Sequence, residues 1–85
     1  MERHFKGIAN YRRIEILTLI ASRNGISLED IAETVGGNMK TIAEHTRRLV
    51  HAGLINKKYT GRTVTHTLSP YGKTFHHFIT TFSYS

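Results

Sequence analysis

The 85-residue chain has no cysteine and no tryptophan, a single proline, and only six acidic residues against twelve basic ones. The absence of cysteine removes disulfides, thiolate metal sites and cysteine nucleophiles together, and suits a reducing compartment. No apolar run approaches the ~18 residues of a membrane-spanning helix. The opening Met1-Glu-Arg-His-Phe-Lys lacks the apolar core of a signal peptide, so no membrane association is expected and a cytoplasmic or nucleoid-associated place is. No nucleophile-elbow, phosphate-loop or metallohydrolase spacing is found, and neither enzymatic activity nor a cofactor is expected. With one proline, at Pro70, and no repeat or low-complexity segment, the chain reads as one domain, residues 1–85. A domain this small buries only about 60% of its unfolded surface, which favours association with a second copy.

What is present is a positive charge in one place. From Asn38 onward seven basic residues (Lys40, Arg47, Arg48, Lys57, Lys58, Arg62, Lys73) stand against Glu44 alone, whereas up to Gly37 five basic residues face five acids. The whole formal charge of +6 therefore lies in the second part of the chain. Such an imbalance points to a polyanion, a nucleic acid or an anionic membrane surface.

Periodicity sets that charge on a framework. Ile14, Leu17, Ile20 and Ala21, with Ile16 on the flank, predict a helix over roughly 10–22, and Phe5, Ile8 and Ala9 share a face that extends it upstream. Ser27 is an N-cap for a second helix that buries Leu28, Ile31, Ala32 and Val35. Gly36-Gly37 breaks it, Gly36 standing where a tight turn between helices passes through positive φ. Asn38 caps a third helix, 38–52, with Ile42, Thr46, Leu49 and Val50 inward and Lys40, Glu44, Arg47 and His51 outward. Leu54–Tyr59 and Thr63–Leu68, joined around Thr60-Gly61-Arg62, read as a β-hairpin. Ser69-Pro70 opens a last helix, 69–82, on which Tyr71, Phe75, Phe78 and Phe82 recur at helical spacing beside Ile79.

The predicted fold is mainly α with a small β-hairpin (α+β), in the order α-α-α-β-β-α: a helix-turn-helix at 27–52 followed by a wing at 54–68. That arrangement sets a helix into the major groove of double-stranded DNA and braces it with a wing. The candidate contacts are Asn38, Met39, Lys40, Thr41, Glu44, His45, Arg47 and Arg48 on the helix and Lys57, Lys58, Thr60 and Arg62 on the wing, 56–64. Arg47 either grips phosphate or reads guanine through a bidentate pair. Glu44 either accepts from a cytosine amino group or repels the backbone and sharpens specificity. The aromatic stripe of the last helix, with Phe5 and Ile8, is the expected homodimer interface: Phe5, Ile8, Tyr71, Phe75, Phe78, Ile79 and Phe82. Two other functions remain open, a protein-interaction subunit of a larger complex and a non-specific architectural nucleic-acid binder; binding measured against salt on specific and random duplexes separates them.

Phe5-Lys-Gly-Ile-Ala-Asn-Tyr-Arg-Arg-Ile-Glu-Ile-Leu17 and Asn38-Met-Lys-Thr-Ile-Ala-Glu-His-Thr-Arg-Arg-Leu-Val-His-Ala-Gly-Leu-Ile55 resemble the opening and the recognition helix of ArsR-type winged helix-turn-helix repressors. Thr67-Leu-Ser-Pro-Tyr-Gly-Lys73 is similar to the strand-to-helix junction of MarR- and HxlR-type relatives. The resemblance implies a homodimeric transcription regulator, a repressor, contacting its operator through Met39, Lys40, Thr41, Glu44, Arg47 and Arg62. It also implies no metal at the known family sites. The cysteines that the metal-sensing members place in or near the second helix of the helix-turn-helix motif are missing, and the adjacent His76-His77 lack accompanying acids. These two point about 100° apart on a helix, and His45 and His51 diverge, so within one chain the six histidines make no obvious metal site; one assembled across two copies stays open.

Overall fold

The computed structural model describes residues 2–83, with side chains from 10 to 82. Four helices and three strands follow in the order α1 (Glu2–Ser22), β1 (Ile26–Ser27), α2 (Leu28–Val35), α3 (Met39–His51), β2 (Ile55–Thr60), β3 (Thr63–Leu68) and α4 (Pro70–Ser83). Both internal helices start where a side chain can satisfy an orphan backbone donor. The Asp30 N–H donates to Ser27 Oγ at 3.1 Å, and the Thr41 N–H donates to Asn38 Oδ1 at 2.8 Å. Glu29 and Asp30 in the first turn of α2 complement the positive end of its dipole.

Between α2 and α3 the chain turns at Gly36, whose φ of 72° lies in the left-handed region that a Cβ disfavours. β2 and β3 form an antiparallel hairpin in which Thr60 pairs with Thr63, leaving Gly61-Arg62 as the two-residue tip. The predicted order is present, with one addition. The short strand β1 adds to the far edge of β3, pairing Ile26 with His66 and Ser27 with Thr65, so the sheet order is β1-β3-β2. Two residues are too few for any alternation to announce a strand, and β1 exists only because β3 lies beside it.

One core joins all these elements: Ile16, Leu17 and Ile20 of α1, Ile26 of β1, Ile31 and Ala32 of α2, Ile42 and Leu49 of α3, with Leu54 and Ile55 where the chain enters β2. Leu28, Val35, Val50 and Phe75 pack half-buried against it. One expectation is corrected. Ile14, placed inward by the sequence, is 41% exposed, and Ile16, placed on the flank, is fully buried. The phase of α1 is set by α2, α3 and the sheet packing on one side of it, which turns Ile14 toward an open groove of about 290 Å³ bordered by Arg13, Arg48 and Phe75.

The junction before α4 is tightly specified. Ser69 Oγ donates to the Gly53 carbonyl at 2.5 Å and accepts the Gly72 N–H at 2.9 Å, so one hydroxyl ties the end of α3 to the start of α4. Gly72 is buried against the backbone of Leu54, and a Cβ there would overlap the Leu54 carbonyl oxygen.

Candidate nucleic-acid interface

The inward seam of α3 positions its outward row. Ile42, Thr46 and Leu49 are buried, with Thr46 Oγ1 donating to the Ala43 carbonyl at 2.9 Å, so the helix is held along its length by the core. Residues near the opposite pole then face solvent. Lys40, Thr41, Arg47, Arg48 and His51 are exposed and Met39 is 41% exposed. At the wing, Lys58, Tyr59, Thr60 and Arg62 are exposed, with Arg62 at the tip.

Other expected contacts are placed differently. Asn38 commits its side-chain oxygen to capping α3. Lys57 lies opposite the buried His66 in the hairpin register, half-buried, and so presents the other face of the wing from Lys58. His45 is not brought into the outward row. It stands half-buried on the α1 side of α3, its Nδ1 closed off from solvent with no hydrogen-bond partner among the described residues. Burial, and then the cations Arg13, Arg12 and Arg48, push its pKa below the usual histidine value.

Glu44 is the centre of the row rather than an isolated acid. Arg47 donates to it twice, Nε to Oε2 at 3.0 Å and Nη2 to Oε1 at 2.6 Å, and Arg48 Nε lies 3.3 Å from Oε1. These bonds hold the Glu44 carboxyl below its ordinary pKa and raise that of Arg47. The spacing of residues 44, 47 and 48 carries this cluster, since positions three and four apart meet on a helix.

Two residues the sequence did not single out shape the site. Arg12 of α1 reaches across to the helix-turn-helix: its Nη1 donates to the Val35 carbonyl at 2.7 Å and to Glu15 at 3.0 Å, and its Nη2 to the Gly36 carbonyl at 3.3 Å. It thereby caps the orphan carbonyls at the end of α2, where a cation also suits the dipole. His66 is fully buried in β3, and its Nδ1 donates to the Ile26 carbonyl of β1 at 3.0 Å. Burial, partly offset by that bond, lowers its pKa. A threonine-rich alternation hides such a histidine, because its residue type reads as polar surface.

On α4, Tyr71 is 59%, Phe78 57% and Phe82 65% exposed, while Phe75 turns half-buried onto the core. Phe78 and Phe82 pack with ring centroids 4.5 Å apart and planes tilted by 38°. Phe5 and Ile8, expected beside them, lie outside the residues whose side chains are described. Among the described residues no helix is long and apolar enough to cross a membrane.

Comparison with known proteins gives the same architecture. FabT of Streptococcus pneumoniae, solved in complex with DNA, superposes with a TM-score of 0.78 at 15% identity over 84% of this chain and 52% of its own. AF1382 of Archaeoglobus fulgidus gives 0.79 at 20% identity, over 85% of this chain and 84% of its own. A MarR transcriptional regulator of Methanosarcina mazei Go1 gives 0.79 at 18% identity, over 85% and 49%. The chain spans about half the length of FabT, SlyA and MarR, whose structures it matches. No curated protein matches the sequence. The HVO_A0114 family model matches residues 8–74. With a helix-turn-helix, a hairpin wing and a match along most of its length, the chain belongs to the HVO_A0114 family and has the winged-helix fold shared by MarR-type regulators.

Proposed function

We propose that this protein is a sequence-specific double-stranded DNA-binding transcriptional regulator, a single winged-helix unit acting as a homodimeric repressor beside the chromosome in the cytoplasm. The observation that carries this reading is the coincidence of shape and charge. The positive excess of the chain falls on α3 and the wing, and the core holds α3 so that Lys40, Arg47 and Arg48 face outward together. In this reading the N-terminal part of α3 (Met39, Lys40, Thr41) meets base edges, and Arg47 and Arg48 lie further along the groove. Lys58, Thr60 and Arg62 brace the backbone or minor groove. That FabT was solved with DNA supports the reading by likeness of fold. The resemblance of the opening and the recognition helix to ArsR-type repressors, and of the Ser69-Pro70 junction to MarR-type ones, supports the same reading.

The dimer is supported by the exposed aromatics of α4 and by the small size of the core. Two copies would present two α3 helices to successive major-groove faces, and a dimer seated over a promoter represses by occlusion. Selection of bound duplexes from a random pool, followed by titration of selected and scrambled sequences against salt, tests this. Preference for the selected site with a steep salt slope is expected. A steep slope without preference would make the protein architectural, and no binding at low salt would remove the nucleic-acid reading.

A further inference from the structure

Attraction to a polyanion is strongest when every facing side chain is basic, yet the middle of the α3 row is an acid. Glu44 receives the side edge of the Arg47 guanidinium through Nε and Nη2, and the Nε of Arg48 as well. An exposed pair of this kind adds little to stability, so stabilising the fold does not account for it. Its geometry has two effects. A guanidinium carries five N–H donors in a planar fork, and holding it by the Nε/Nη2 edge leaves the parallel donors of the outer Nη1/Nη2 edge free. Those outer donors match the O6 and N7 acceptors of guanine. The carboxylate also cancels one of the charges that would otherwise attract any phosphate backbone.

We infer that Glu44 is a specificity-determining positioning residue, which fixes the plane of Arg47 for a base edge and weakens contact with DNA that offers no such base. The inference rests on the DNA-binding reading and names the residue that gives it discrimination. In the free protein Arg47 and Arg48 are already held together, so their ordering does not have to accompany binding.

The test is Glu44→Gln in the intact chain, which keeps side-chain length and removes the charge. Dissociation constants are measured on the selected duplex and on a scrambled one across a range of salt. Scrambled-duplex affinity is expected to rise with a salt slope steeper by about one, and the preference for the selected duplex to fall about tenfold. In an Arg47→Ala background the same substitution is expected to leave the preference unchanged, because Glu44 acts through Arg47. A preference that stays within about twofold in the single variant, or that falls equally with and without Arg47, overturns the inference while leaving DNA binding intact. Failure of the unaltered protein to bind either duplex at low salt overturns both.

Discussion

The outward row of α3 and the aromatic stripe of α4 both face solvent, but for opposite chemical reasons. On α3 the exposed groups are cations arranged around one carboxylate, in contact with each other and at ease in water. On α4 they are Tyr71 and the Phe78–Phe82 pair, whose exposure is unfavourable unless something covers them. A charged surface left open invites a polyanion, and an aromatic one invites apolar surface such as a second copy. The two are held apart by one scaffold, so they can be perturbed separately.

The largest effect is expected where the scaffold joins them. Gly72→Ala, which in an ordinary helix interior would gain up to ~1 kcal/mol, should instead destabilise by about 3 kcal/mol because the new Cβ meets the fixed backbone of Leu54. Chemical denaturation measures this, and a stabilised variant would refute the close approach. Next comes the α4 surface alone. Phe78→Glu should leave the fold intact and halve the mass in sedimentation. Affinity for a two-half-site duplex should then fall about 100-fold as the linkage of two reading heads is lost. A strictly monomeric unaltered protein at micromolar concentration would remove the dimer.

The α3 surface responds to Arg47→Ala. A loss on the order of 1–3 kcal/mol confined to the selected duplex is expected if Arg47 reads a base, and an equal loss on all sequences would reassign it to phosphate. Acid produces the smallest effect, and it acts on the interior beneath both surfaces. His66 and His45 have pKa values lowered below 6.5 in the folded chain, so as pH falls the unfolded chain takes up protons first. Stability should be level above about pH 6.5 and decline below it, by at most about 1.4 kcal/mol per unit for each proton. Glu44, held low by Arg47, stays ionised through this window. Denaturation midpoints measured across that range, with His66→Phe to remove one contribution, check the sign; stability rising in acid would contradict it.

Much of this was legible in the residues. The Ser27 and Asn38 caps, the Gly36 turn, the Ile42/Thr46/Leu49 seam and the hairpin tip at Gly61-Arg62 are local, and each sits where its spacing predicts. What escaped is set by contacts distant in sequence. Arg12 meets Val35 and Gly36 over twenty-three and twenty-four residues, and His66 meets Ile26 over forty, so no local pattern marks them. The turn of α1 that exposes Ile14 and buries Ile16 depends on three partners that a single helical stripe does not report. Glu44 shows the reverse case: its partners lie in reach at i+3 and i+4, but spacing alone does not say whether an acid in a basic row meets DNA or its own neighbours.

The two-residue strand β1 has a mechanical consequence. The bonds at and just before it, Gly25 N–H to the His66 carbonyl and His66 Nδ1–H to the Ile26 carbonyl, fasten the base of the wing directly in front of α2. The wing is therefore pinned at two points, like a bracket: by the chain leaving α3 at Gly53-Leu54 and by the β1 seam that leads into α2.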